Sequence, residues 1–402
     1  MKITISGASG FVGQMLVPRL AAAGADLLLI GRDPARLAQL FPGHAVCGYA
    51  DLAARAQGHD LLLHLAVLNS DATAPPETFA AVNVDFTLSL AETAQKLGIA
   101  RFIHASSVHA LDPRNTSAYA QSKRAAAQRL AGLTGIHVTT LHLAQVYGEG
   151  WGGRLKGLNR LPPALARGLF RPLAALKPTL HIRQLAAFVL QPIPEPSEGV
   201  LADDISADDI ILADDQDANP VFRAVKRLID LLFVAAVAVL LGWALGLIWA
   251  LVRLQSPGPG LFAQTRVGRQ GATFTCYKFR SMQTGTVQVG THDAPEGAIT
   301  RLGHVLRRSK LDELPQIWNI ARGEMSLIGP RPCLPVQTAL IDARAKRGVL
   351  AIRPGISGLA QVQGIDMRDP LVLARRDARY LAIRGLALDV KIILATLRAP
   401  KG

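Results

Sequence analysis

Two constellations in this 402-residue sequence carry reactive chemistry, and they lie in opposite halves. In the second half the adjacent carboxylates Asp312 and Glu313 stand amid cations: Arg266, Arg269, Lys278, Arg280, Arg301 and Arg331. Arginine pairs bidentately with phosphate oxygens and lysine acts as a point charge, so this stretch reads as a phosphate-binding surface. Neighbouring side chains on a helix diverge by about 100°, so the two carboxylates need not share one task. One is suited to attack phosphorus while the other holds Mg²⁺, an ion commonly bound by one or two carboxylates plus substrate phosphates. Pro315 marks a helix start or break beside them. An acidic pair is ordinarily a solvated helix start; the density of cations argues for the chemical reading here.

In the first half, Gly7, Gly10 and Gly13 sit in a turn between an alternating strand (Lys2 to Ser6) and a helical stretch (Gln14 to Ala23). Such glycines permit a tight turn, close approach to a pyrophosphate and close helix–strand packing. The next strand, Asp26 to Ile30, runs into Gly31 and Arg32 rather than an acidic residue, which favours the 2′-phosphate of NADP over the ribose hydroxyl of NAD. A strand RFIHASS (Arg101 to Ser107) ends in serines, and Tyr119 and Lys123 follow at one-turn spacing. Lysine there lowers the tyrosine pKa, and serine shares the substrate oxygen. Together they form an acid/base set for carbonyl–alcohol interconversion with hydride transfer from a nicotinamide.

These groups need scaffolds. LLLHLA (Leu61 to Ala66) reads as another buried parallel strand, giving a doubly wound α/β first domain over residues 1–219. Three Asp pairs, Asp203-Asp204, Asp208-Asp209 and Asp214-Asp215, read as a solvated edge and linker. Leu231 to Val252 is a run of 22 residues without a charge. As a helix it reaches about 33 Å, enough to cross a hydrocarbon core of about 30 Å, so 220–253 is read as a membrane-inserted helix and 254–402 as the second catalytic domain. Residues 1–219 hold 18 Lys and Arg against 19 Asp and Glu, whereas 220–402 hold 26 against 11. Basic side chains after a membrane helix suit anionic headgroups and phosphorylated substrates. No recognition motif with interleaved aromatics accompanies them, so nucleic acid is not an expected partner. Cys47, Cys276 and Cys333 lack metal or disulfide spacing. The opening MKITISGASG lacks a basic-then-apolar leader, so the first domain is expected in the cytoplasm.

Residues 1 to about 200 resemble an extended short-chain dehydrogenase/reductase of the nucleotide-sugar epimerase/dehydratase group. The resemblance runs through the glycine turn, His64-Leu-Ala66, Asn83-Val84, Ser107, Tyr119/Lys123 and Gln145-Val-Tyr-Gly148. It implies Tyr119 as acid/base, Lys123 as its pKa-lowering partner and ribose ligand, and Ser107 on the keto oxygen. His142-Leu143-Ala144 and His181-Ile-Arg183-Gln184 depart from the group's usual residues, and the substrate lobe is short. From about Val225 to Arg398 the chain resembles the monotopic phosphoglycosyl transferases, through SPGP, YKFRSM, LDELPQ, MSLIGPRP and RPGISGLAQVQGID. That implies Asp312 as nucleophile on a UDP-sugar, Glu313 as Mg²⁺ ligand, and Lys278, Arg280, Arg301 and Arg331 as phosphate or nucleotide ligands.

The expected protein is therefore bifunctional and bound to the bacterial inner membrane, with NADP (or NAD) and Mg²⁺ as cofactors. UDP-sugar and undecaprenyl phosphate are its expected partners, with homodimerisation left open. The first domain reduces a UDP-4-keto sugar and the second transfers the sugar phosphate. Gly364 to Met367 (GIDM) resembles transferases for 6-deoxy-N-acetylamino sugars. A 4-epimerase or a non-catalytic scaffold are the alternatives for the first domain. Because both substrates are cytoplasmic, the helix is expected to re-enter the same leaflet, with a break near Gly242 to Trp243.

Overall fold

Short apolar runs bounded by turn residues build the first sheet. In the computed structural model, which describes residues 1–192, 209–286 and 298–398, these are β1 (Lys2–Ser6), β2 (Asp26–Ile30), β3 (Ala45–Cys47), β4 (Leu61–His64), β5 (Arg101–Ser107) and β6 (His137–Leu143). A later strand, β9 (Asp209–Leu212), joins them in the order β3-β2-β1-β4-β5-β6-β9, all parallel. A parallel sheet is covered on both faces, which is why its strands are nearly continuous in apolar residues. Ile3, Ile5, Leu61, Leu63 and Ile103 pack with α1 (Phe11–Ala22), while Ile30, Leu62 and Phe102 pack with α2 (Phe86–Lys96) and α3 (Ala118–Leu130). Strand order reverses between β1 and β4, and open α/β sheets bind ligands outside the carboxyl ends of the strands at such a point. The small ladder of β7 (Gln145–Tyr147) with β8 (Thr179–His181) and the helix α4 (Ile182–Leu190) complete this unit.

The aspartate pairs do not behave as one solvated linker. Asp209 is 1% exposed in β9, beside Thr140 of β6. Asp214 accepts hydrogen bonds from Thr179 Oγ1 and the His181 amide. The apolar residues interleaved with them (Ile210, Ile211, Leu212) supply a seventh strand, so sheet pairing takes precedence over hydration. Asp203, Asp204 and Asp208 lie outside the described residues.

By contacts the chain divides into two units, Met1–Ala218 and Asn219–Gly402. The second opens with α5 (Pro220–Gln255), whose first turn is capped by the Asn219 side chain accepting from the Val221 amide. This helix is long and apolar enough to cross a membrane. It runs through Gly242 and Trp243 without interruption, so the expected break is absent. Glycine costs about 1 kcal/mol of helix propensity but keeps its amide donor, whereas proline would remove one; two glycines do not outweigh the continuing hydrogen-bond ladder.

Beyond it, β10 (Leu261–Val267) and β11 (Thr273–Phe279) form an antiparallel hairpin. Helix α6 (Arg301–Ser309) leads through a 3₁₀ turn, Leu311–Gln316, into α7 (Ile317–Arg322). A short parallel pair, β12 (Ser326–Ile328) with β13 (Gly355–Ser357), packs with α8 (Pro370–Ile383) and α9 (Leu386–Arg398) around Ile328, Tyr380 and Ile392.

Candidate active sites

In the first unit the glycine turn is a cradle from which side chains are excluded. Gly7 has φ +76°, and a Cβ there would lie 2.4 Å from the Ala66 amide nitrogen. At Gly13 it would lie 2.4 Å from the Ala8 carbonyl oxygen, so α1 packs on the turn at backbone distance. Gly10 precedes α1 and donates its amide to the Gly7 carbonyl at 3.0 Å. These residues fit a dinucleotide pyrophosphate. At the end of β2, Arg32 is exposed, and one oxygen of the neighbouring, exposed Asp33 caps the next helix through the Arg36 amide.

Tyr119 and Lys123 lie in α3 one turn apart, and Ser107 ends β5. The Ser107 hydroxyl lies close enough to Tyr119 to favour its ionised form. Lys123 is 2% exposed and donates to the Ala105 carbonyl at 2.8 Å. Burial lowers its pKa to about 7. Burial also raises the Tyr119 pKa, offset in part by Ser107. Burial and Ser107 are thus the causes that act on Tyr119 here, while burial acts on the Lys123 ammonium itself. Asn83, fully buried, bonds the Leu68 backbone and Ser122 Oγ, anchoring α3 to the segment after β4.

In the second unit the acidic pair is split in role by its surroundings. Lys310, just before it, has φ +57°, a left-handed conformation that a non-glycine residue holds at a cost of order 1 kcal/mol and that recurs at functional sites. The turn that follows brings Glu313 to Lys278 of β11 and to Arg331, both at 2.7 Å and both on Oε1. Burial opposes ionisation of Glu313, but Arg331 and Lys278 outweigh it and hold the carboxyl at about 2. Asp312 goes the other way: burial first, then the Glu313 charge, raise its pKa. One carboxylate is a fixed anion; its neighbour is a destabilised one.

Asn319 of α7 sets this geometry. It is fully buried, donates to the Thr275 carbonyl at 2.7 Å and accepts from the Tyr277 amide, holding the acidic turn against β11. A cavity beside Glu313 is lined by Arg266, Cys276, Lys278, Gln316 and Arg331. Of these, Cys276 and Gln316 were not singled out from sequence; Gln316 closes the LDELPQ segment, its one legible signal. Arg307, also not singled out, donates to Ser281 Oγ and lowers the Asp312 pKa.

Two expected ligands are placed elsewhere. Arg280 is buried, and its guanidinium donates to the carbonyls of Val252, Ser256 and Pro257, closing the end of α5. Arg301 opens α6 at the surface and is not among the residues lining the cavity. Spacing alone does not separate a guanidinium that caps a helix from one that meets phosphate. Among the described residues no group of three or more His, Cys, Asp or Glu gathers to hold a metal. Asp312 and Glu313 are the two carboxylates that would hold Mg²⁺, an ion commonly bound by one or two carboxylates plus substrate phosphates, and it would offset phosphate charge there.

Two family models match the chain: bacterial sugar transferase over residues 221–400, and NAD dependent epimerase/dehydratase over residues 3–170. A UDP-N-acetylgalactosamine-undecaprenyl-phosphate N-acetylgalactosaminephosphotransferase from Aeromonas hydrophila is 39% identical over 191 residues, covering 45% of this chain and 44% of the relative. A UDP-glucose:undecaprenyl-phosphate glucose-1-phosphate transferase from Caulobacter vibrioides is 37% identical over 181 residues, 43% of this chain and 68% of that protein. Among solved structures, a short-chain dehydrogenase/reductase superfamily protein from Agrobacterium tumefaciens with bound NAD is 18% identical, covering 57% of this chain and 83% of that one at a TM-score of 0.41. The chain spans less than half the length of the Aeromonas relative. Through its second unit the chain belongs to the bacterial sugar transferase family, and it carries ahead of that unit a domain of the epimerase/dehydratase type.

Proposed function

We propose that the second unit transfers a sugar 1-phosphate from a UDP-sugar to undecaprenyl phosphate at the bacterial inner membrane. The first unit would prepare that UDP-sugar by NADPH-dependent reduction of a 4-keto precursor. The observation that carries the transferase reading is the divided acidic pair, with Glu313 clamped by Lys278 and Arg331 beside a destabilised Asp312. Asp312 attacks the β-phosphorus, the bond to the α-phosphate oxygen breaks, and UMP leaves. The aspartyl phosphosugar then gives its phosphorus to an oxygen of the polyprenyl phosphate, which regenerates the carboxylate. Lys278 and Arg331 orient Glu313 and lend positive potential to the incoming diphosphate. Bound Mg²⁺ would offset phosphate charge, held by Asp312 and Glu313.

For the first unit, a bound nicotinamide supplies hydride, and Gly7, Gly10 and Gly13 leave room for its pyrophosphate. Tyr119 donates the proton to the carbonyl oxygen, Ser107 holds that oxygen, and Lys123 recharges the tyrosine. Exposed Arg32 at the end of β2 supports NADP. Both domains are read as cytoplasmic, with the sugar of the 6-deoxy-N-acetylamino class.

The test is UMP release by purified protein in nanodiscs with undecaprenyl phosphate, Mg²⁺ and the UDP-4-keto sugar, with and without NADPH. Release that requires NADPH is expected, and Tyr119→Phe should cost about 10²–10⁴-fold in the reduction step. Equal release without NADPH would reduce the first unit to an epimerase or a scaffold. Asp312→Asn should end release in either case; normal turnover by that folded variant would remove the nucleophile assignment.

A further inference from the structure

The helix Pro163–Leu176 of the first unit, PALARGLFRPLAAL, holds no acid and no uncharged polar side chain. At about 100° per residue, Ala166, Phe170 and Ala174 form one row, which packs with Trp151 on Tyr147, Leu155 and Leu158. Ala175 is buried as well, at the end where the chain turns into β8. Every other residue of the helix is exposed. Round the helix from the packed row come Arg167 and Arg171, then Ala164, Gly168 and Pro172, then Leu165, Leu176, Leu169 and Leu173. These four leucines are 41–52% exposed. A surface helix ordinarily turns charged and polar side chains to water. This one turns leucine, with arginine at one margin.

The chain around it has the same bias. Residues 151–192 contain seven Lys and Arg and no Asp or Glu, although residues 1–219 as a whole are close to neutral. Lys156 and Arg160 ahead of the helix, and Lys177 and Arg183 beyond it, are exposed. We propose that this face lies on anionic phospholipid, an interfacial contact of the first unit that adds to the anchorage by α5. Leucine enters the boundary between headgroups and acyl chains, and the cations meet lipid phosphate, the pairing by which amphipathic helices lie on membranes. The inference rests on the reading of the chain as membrane-bound. The first unit ends at Ala218 and α5 begins at Pro220, so the contact forms on a membrane already held, and a weak affinity suffices. A second copy paired through the same face would set arginine against arginine.

The test reads lipid contact directly. Single cysteines at Leu165 or Leu169 of the full chain, and at exposed Gln39 in the helix Pro34–Leu40 as a reference, carry a nitrobenzoxadiazole label. Cys47, Cys276 and Cys333 are buried and remain unlabelled. The protein is placed in nanodiscs of phosphatidylcholine and phosphatidylglycerol, with or without a lipid that bears a nitroxide near its headgroup. Emission from the two leucine positions should be shifted to the blue and quenched by the nitroxide lipid, while emission from the reference should be neither. Both effects should weaken in discs of phosphatidylcholine alone and in the variant Arg167→Glu/Arg171→Glu. Water-like emission from Leu165 and Leu169 positions in disc-bound protein would overturn the inference and leave the membrane reading standing. Protein that fails to co-elute with discs would overturn that reading instead. A blue shift without quenching would put a protein surface on the face, a second copy included, and overturn the lipid assignment. Quenching indifferent to lipid charge and to arginine reversal would overturn anionic lipid as the occupant.

Discussion

At the scale of single residues, two ionisable pairs are driven apart by their environments, and each makes a measurable pH signature. Asp312 titrates above its ordinary value because it is buried beside the Glu313 anion. Glu313→Gln removes that charge and frees Lys278 and Arg331 to act on Asp312, so the acid limb of the transferase pH–rate profile should move to lower pH as the rate falls. A limb that stays in place would mean that Asp312 does not sense Glu313. In the other unit, Lys123 is held at about 7 against an ordinary 10.5, so between those values the unfolded chain binds the extra proton. Stability without cofactor should therefore rise as pH climbs from about 7 to 10.5, and Lys123→Met should flatten that slope. Denaturant unfolding at several pH values in the absence of nucleotide reads this directly.

At the scale of elements, the acidic turn is positioned by what surrounds it rather than by its own propensity. Lys310 in a left-handed conformation ends α6, Pro315 keeps the next turn 3₁₀, and buried Asn319 pins α7 to β11. Arg280 acts on the end of α5, where three carbonyls lack helical partners. Arg280→Met should leave these carbonyls unsatisfied and cost about 1–3 kcal/mol of stability. The KM for UDP-sugar should change little, since the guanidinium is turned away from the Glu313 cavity. A raised KM at unchanged stability would return Arg280 to the phosphate site.

At the scale of the whole molecule, each unit has its own buried cluster, the parallel sheet in one and the packing around β12, β13, α8 and α9 in the other. Residues 219–402 produced alone should therefore fold in detergent and release UMP when given an already reduced UDP-sugar, without NADPH. Loss of that activity would mean that the transferase requires the first unit for more than substrate supply. The division into a dinucleotide fold and a sugar transferase was legible in sequence, because Gly7 to Gly13, Tyr119 with Lys123, and LDELPQ are local patterns whose spacing carries their chemistry. The strands Lys2–Ser6, Asp26–Ile30 and Arg101–Ser107 were equally legible, since burial on both faces demands continuous apolar runs. Which cations meet Glu313 was not: Lys278 and Arg331 do so while Arg280 caps a helix, and that choice depends on contacts between residues far apart in the chain. The continuity of α5 and the entry of Asp209 into the sheet were likewise decided by tertiary structure. A glycine or an aspartate sets only a small local preference, and packing partners brought from elsewhere settle whether it bends a helix, hydrates a linker or pairs in a strand.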